Sequence, residues 1–69
     1  MVLLKYPGHN FVDNIDQQKW CTKNLGPEAA WRDSLTEEKP WTLTYERGDT
    51  HWYFFKEEDA VLFALRWSR

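Results

Sequence analysis

The C-terminal stretch HWYFFKEEDAVLFALRWSR, from His51 to Arg69, decides how this chain can fold. It begins with four consecutive aromatic residues, Trp52 to Phe55, a class that favours a part-buried β-strand. An acidic run, Glu57 to Asp59, comes next and suits the positive end of a helix dipole. Good helix formers follow from Ala60 onward. The stretch therefore predicts a strand that passes through a short acidic turn directly into a helix.

The predicted helix is apolar around most of its circumference. At about 100° per residue, a single broad sector holds most of its apolar side chains, namely Ala60, Val61, Phe63, Ala64, Leu65 and Trp67. A surface helix of a globular domain has a narrower apolar stripe. We therefore expect this helix either to be buried along most of its girth or to meet another molecule along one flank. Phe63 and Trp67 are predicted to pack in the core against Trp52 and Phe54.

Length and composition indicate one small soluble domain covering residues 1–69. A chain of 69 residues buries only about 60% of its unfolded surface, and five Trp, three Tyr and four Phe supply the large side chains that compensate. The single cysteine, Cys21, excludes an internal disulfide. No apolar run is long enough for a signal peptide or a membrane span. These features predict a cytoplasmic protein with no membrane partner.

Two further elements precede the C-terminal unit. Val2 to Tyr6 is an apolar run closed by Pro7-Gly8, which predicts an edge strand followed by a turn. A helix is predicted from an Asp13 N-cap to Leu25, where Gly26-Pro27 ends it. Its inward residues are expected to be Trp20, Cys21 and Leu25.

The segment from Trp41 to Arg47 alternates between large apolar and polar residues, as a half-buried strand does. Gly48-Asp49 follows, and glycine in the first position favours a type II′ hairpin. This hairpin places Tyr45 opposite Trp52 and Leu43 opposite Phe54. The predicted core face is then Trp41, Leu43, Tyr45, Trp52 and Phe54, and the opposite face carries Thr42, Thr44, Glu46, His51, Tyr53 and Phe55.

The elements run strand, helix, strand, strand, helix, and predict an α+β fold. Two helices cover one face of a small, mainly antiparallel three-stranded sheet, giving a two-layer sandwich of β-α-β-β-α order. The other sheet face is left for solvent or a partner. Its candidate partner-binding residues are Tyr53 and Phe55, which are expected to be exposed in the monomer, with His51, Thr42 and Thr44 around them.

Three interpretations of that outer face remain open. Aromatic residues are enriched where proteins bind proteins, which favours a contact surface. The loop from Glu28 to Pro40, anchored by Trp31 as a lid, could instead shield Tyr53 and Phe55. Stacking of single-stranded nucleic acid on the aromatic residues is the third, disfavoured by the net charge of −2.

No motif points to catalysis, a cofactor or a metal. Cys21, His9 and His51 lack the spacing of zinc ligands, and the glycines are isolated turn residues rather than a phosphate-binding loop. A cysteine next to a tryptophan in a helix is typical of core packing rather than of a nucleophile. We expect a protein that is not an enzyme.

The chain resembles small uncharacterised proteins of tailed bacteriophages, notably those of cyanobacteria. The resemblance lies in WCTKNLG, in Trp31 and in WYFFKEEDAVLFALRW, and covers about half of the chain. The matching positions are Trp20, Cys21, Asn24, Gly26, Trp52, Phe54, Asp59, Ala60, Phe63, Leu65, Arg66 and Trp67. Lys56 departs from the pattern, because the phage proteins have Asn or Asp ahead of the second helix. The resemblance implies a phage origin and a βαββα-like fold, and no activity.

Together these observations predict a small, non-enzymatic phage protein in the host cytoplasm that binds another protein. The partner is expected to be a host protein or a second copy in a homodimer. The alternatives are a minor virion component and a single-stranded nucleic-acid binder.

Overall fold

The computed structural model describes residues 1–6 and 11–67, apart from the side chains of residues 11–13. The predicted Pro7-Gly8 turn and His9 lie outside this description. The elements in chain order are β1 (Val2–Tyr6), α1 (Phe11–Asn24), a one-turn 3₁₀ helix (Arg32–Ser34), β2 (Trp41–Glu46), β3 (Asp49–Phe54) and α2 (Glu57–Trp67). The predicted α+β class and the β-α-β-β-α order are confirmed.

The three strands form one antiparallel sheet in the order β1-β3-β2. The aromatic strand β3 lies in the centre, where both of its edges are hydrogen-bonded. Val2 pairs with Phe54 on one side of it, and Trp41 pairs with the same residue on the other. The prediction that β1 is an edge strand is confirmed.

The β2–β3 hairpin corrects the predicted register. Glu46 pairs with Asp49, so the two-residue turn is Arg47-Gly48 rather than Gly48-Asp49. Both turn residues have positive φ, 53° and 83°, which is the type I′ pattern that matches the twist of the strands. Leu43 therefore lies opposite Trp52, and Tyr45 lies opposite Thr50. The pairing moves by two residues, so every side chain keeps its predicted face.

The core lies on one side of the sheet, beneath both helices. Its buried residues are Cys21, Trp41, Trp52, Phe54, Ala60 and Phe63, with Trp20, Leu25 and Trp67 half-buried against them. The Phe63 ring is the hub, 4.6 Å from the ring centroid of Trp52 and 5.2 Å from that of Phe54. Tyr45 is half exposed, contrary to its predicted core position, because it lies near the turn end of β2, where Asn14 Nδ2 donates a 3.3 Å hydrogen bond to its hydroxyl.

Helix α1 turns its predicted residues inward. Cys21 is fully buried, which confirms it as a core residue. The helix begins at Phe11, two residues ahead of Asp13, so Asp13 is not the predicted N-cap. At its end the Cys21 carbonyl accepts hydrogen bonds from the N–H groups of Leu25 and Gly26, at 2.8 and 3.1 Å. Gly26 then takes a φ of 131°, a backbone conformation that L side chains rarely adopt.

Helix α2 is less buried than its composition predicts. Only Ala60 and Phe63 are buried, whereas Val61, Leu62 and Leu65 are exposed. The sheet is narrow, and only one side of α2 can lie on it. The expectation that this helix is buried around most of its circumference is therefore wrong. The alternative, that one flank contacts another molecule, stays a prediction.

Candidate contact surface

The register brings four of the five predicted partner-binding residues to the outer face of the sheet. Thr42 pairs with Tyr53 and Thr44 with His51, and paired residues of antiparallel strands project from the same face. Phe55 lies just beyond the end of β3, in the short connection to α2, where its N–H donates a 2.8 Å hydrogen bond to the carbonyl of Pro40. Leu3 of β1 pairs with Tyr53 from the other side and belongs to this face as well.

The expected exposure of Tyr53 is wrong. Its side chain is 3% exposed, whereas that of Phe55 is 43% exposed. Arg32 lies over the Tyr53 ring, with the guanidinium carbon 5.9 Å from the ring centroid and Nη1 donating a long 3.5 Å hydrogen bond to the hydroxyl. This hydrogen bond is the main cause that raises the pKa of the Arg32 guanidinium.

Thr42, predicted to border the two aromatic residues, is also buried. Its hydroxyl donates a 3.2 Å hydrogen bond to Oε2 of Glu28. The neighbouring Ala29 N–H donates to the carbonyl of Trp41 at 2.8 Å, within a parallel bridge between Glu28 and Trp41. The segment before the 3₁₀ helix is thereby held against the edge of β2.

The covering segment, residues 28–40, is a chain of tight turns. Ser34 Oγ accepts a hydrogen bond from the Trp31 N–H at 3.1 Å and donates one to the Trp31 carbonyl at 2.8 Å. The N–H of Lys39 donates to Oγ1 of Thr36 at 3.0 Å, and the Thr36 N–H donates to the Lys39 carbonyl. These bonds fix the backbone from which Arg32 reaches Tyr53.

Trp31 does not act as the predicted lid. Its side chain is 64% exposed, and the covering contact on Tyr53 comes from the neighbouring Arg32. Trp31 directly precedes Arg32 in the chain. We call Leu3, Trp31, Arg32, Tyr53 and Phe55 together the outer-face patch.

Ion pairs lie at both ends of the outer face. At the turn end, Oε2 of Glu46 lies 2.8 Å from Nδ1 of His51, but the two atoms are not aligned for a hydrogen bond. At the other end, the Lys56 ammonium is 3.2 Å from Oε1 of Glu37. The hydrogen bond to Glu37 is the main cause that raises the Lys56 pKa. A carboxylate thus lies against both His51 and Lys56, which leaves the apolar and aromatic groups as the distinctive chemistry between them.

Three residues of the outer-face patch were not among the predicted contact residues. The alternation of side chains along β1 would place Leu3 on this face, but only if the position of β1 beside β3 is known. Trp31 carries a signal, since it is a large aromatic residue in an otherwise polar segment. Arg32 has no such signal, because its contact with Tyr53 depends on how residues 28–40 fold.

Other features of the described chain offer little chemistry. Within residues 1–6 and 11–67, no group of three or more His, Cys, Asp or Glu side chains could hold a metal ion. Burial raises the pKa of the Cys21 thiol to about 12, helped by the charges of Asp59 and Glu28, so the thiol is protonated at neutral pH. A shallow groove on α1 is lined by one helix alone, at Ile15, Gln18, Lys19, Thr22 and Lys23. Neither helix, as far as the structure describes them, has the length and hydrophobicity needed to cross a membrane.

Comparison with known proteins found no match among family models, curated proteins or solved structures.

Proposed function

We propose that this chain is a small phage-encoded protein that acts without catalysis, by binding another protein through the outer-face patch. The observation that carries the proposal is Trp31, which is 64% exposed and directly precedes Arg32, the residue that lies over Tyr53. Trp, Tyr and Arg are the residue types that dominate binding energy at protein interfaces. The resemblance of the sequence to small proteins of tailed bacteriophages supports the phage origin.

Covering Trp31 would contribute substantially to binding. A tryptophan buries about 150–250 Å² when enclosed, and apolar burial stabilises by about 25 cal/mol per Å². Covering the exposed 64% of this side chain therefore yields about 2–4 kcal/mol before the costs of association. Leu3, which pairs with Tyr53, and the exposed Phe55 just beyond the end of β3 would extend the covered area.

The patch is already arranged for contact. The two Ser34 hydrogen bonds hold the backbone around Trp31. The Arg32 guanidinium is held by its contact with the face of the Tyr53 ring. Groups that are ordered before binding lose little conformational entropy on binding. The proposed partner is a host protein or a second copy of the chain.

The test compares the wild-type chain with the double variant Trp31→Ala/Phe55→Ser. Both are immobilised and exposed to lysate of a bacterial host, and retained proteins are identified by mass spectrometry. Self-association is measured separately by sedimentation. The proposal predicts one host protein, or a second copy, that the wild type binds and the double variant does not. Ile15→Ser is the matched control, because Ile15 is also exposed but lies on α1.

Several results would contradict the proposal. The double variant would retain the same partner as the wild type, or the wild type would neither retain a host protein nor self-associate. A fluorescent single-stranded oligonucleotide that binds the wild type and not the double variant would assign the patch to nucleic acid instead. Detection of the chain in purified virions would favour a structural role in the particle.

A further inference from the structure

Helix α2 exposes a second apolar surface, on the opposite side of the molecule from the outer-face patch. Val61, Leu62 and Leu65 are 51%, 52% and 70% exposed. With Glu58 they follow the spacing i, i+3, i+4, i+7, so the four side chains lie along one line of the helix. We call these four residues the α2 stripe.

The charges of α2 are separated between its two ends. Its first turn carries Glu57, Glu58 and Asp59, and its last turn carries Arg66. The Arg66 guanidinium lies 4.3 Å from the centre of the Trp67 ring, beside the C-terminal end of the α2 stripe. The apolar part of the stripe thus separates an acidic end from a basic one.

We propose that the α2 stripe binds the same stripe of a second copy, with the two helices antiparallel about a two-fold axis. The three apolar residues of the stripe centre on the height of residues 62–63. A two-fold axis at that height brings Glu58 of one copy to within about 1.5 Å, along the helix axis, of the level of Arg66 in the other. Each interface then contains two Glu58–Arg66 pairs, one at each end of six aliphatic side chains.

The antiparallel arrangement is the one that the charges favour. A parallel pair would place the two acidic first turns side by side and would align the two helix dipoles. The antiparallel pair sets each acidic turn against the basic turn of the other copy. A two-fold interface also needs only one self-complementary surface, and the α2 stripe has that property.

The size of α2 sets the strength of this contact. Its 11 residues span about 16 Å, and a helix pair of that length buries less than the roughly 1,200 Å² of a stable interface. The dimer is therefore weak, and it forms and dissociates with protein concentration. The α2 stripe and the outer-face patch share no residue, so this inference is independent of the proposed function.

Charge reversal provides the sharpest test. Glu58→Arg and Arg66→Glu are prepared as single variants, and sedimentation is followed from about 10 µM to about 1 mM, the range suited to a weak, transient interface. The wild type is expected to shift from monomer to dimer. Each single variant should stay monomeric, because its two charged pairs become like-charged. An equal mixture of the two should form a mixed dimer, in which both pairs are again opposite in charge.

Two further variants separate the apolar contact from the charges. Leu62→Ser should abolish the dimer, and Ile15→Ser, an exposed apolar residue on α1, should leave it unchanged. Circular dichroism establishes that each variant is folded before its association is scored. A wild type that stays monomeric throughout the range would overturn the inference. A dimer that persists in Leu62→Ser would also overturn it. So would single charge variants that dimerise alone, or that fail to associate when they are mixed.

Discussion

Replacing Phe63 by alanine tests the packing of the whole core. The side chain is fully buried, and its ring meets those of Trp52, Phe54, Tyr6, Trp20 and Trp67 at centroid distances of 4.6, 5.2, 5.8, 6.0 and 6.4 Å. It therefore joins both helices and two strands of the sheet. A cavity at this point removes contacts from all of them at once.

The expected loss is most of the stability of the domain. A buried Phe→Ala change costs about 3–5 kcal/mol. At about 0.05–0.15 kcal/mol per residue, a chain of 69 residues has a free energy of unfolding of about 3–10 kcal/mol. Phe63→Ala should thus leave the chain partly or wholly unfolded at 25 °C. Phe63→Leu, which keeps most of the volume, should cost less than about 1.5 kcal/mol.

Thermal unfolding followed by circular dichroism measures both variants. In a domain of this size, each kcal/mol lowers Tm by about 4–8 °C, so Phe63→Ala should lower it by at least about 12 °C. Leu62→Ala serves as the control, because Leu62 is the neighbouring residue on the exposed side of α2. A Phe63→Ala protein that melts within about 4 °C of the wild type would show that α2 does not pack as described.

Three shorter predictions follow from the burial and backbone geometry of other residues. Tyr53→Ser should lower Tm more than Phe55→Ser does, because Tyr53 is 3% exposed and Phe55 is 43% exposed; equal Tm losses would refute the difference. Native Cys21 should resist Ellman's reagent. Its pKa is raised to about 12 in the folded chain, against about 9 in the unfolded chain. The thiol therefore contributes stability that is complete below pH 9 and is lost as the pH rises toward 12. Denaturant titrations should show that the free energy of unfolding falls less between these pH values in Cys21→Ala than in the wild type. Arg47→Asn should raise Tm, since Arg47 has a φ of 53° and Asn tolerates that conformation better; an unchanged Tm would mean that the turn carries no strain.

The faces of the sheet could be predicted from the sequence, and the hairpin register could not. Alternation from Trp41 to Tyr45 fixes which side chains share a face, and a shift of two residues leaves that alternation intact. Gly48 is compatible with either position of a two-residue turn. The structure places Arg47 first with a positive φ, which is uncommon for arginine and has no sequence signal.

Which outer-face residues are buried could not be predicted from the sequence either. Alternation in the sequence gives Tyr53 and Phe55 the same predicted face, yet β3 ends at Phe54 and only Tyr53 lies beneath Arg32. That difference depends on the course of residues 28–40, which follows from hydrogen bonds of Ser34, Thr36 and Glu28 rather than from any periodic pattern. In α2, by contrast, the sequence shows an apolar sector wider than the sheet can cover, and the structure leaves Val61, Leu62 and Leu65 exposed.

The position of β1 beside β3 has a consequence for the chain while it is being synthesised. Val2 pairs with Phe54, so the first strand must wait for its partner until about 50 further residues have been added. At about 5–20 residues per second, that delay is about 3–10 s. During this interval the β2–β3 hairpin does not yet exist, and the apolar side chains of β1 have no sheet to join. The sheet is therefore completed only when the central strand is available, long after β1 itself has been made.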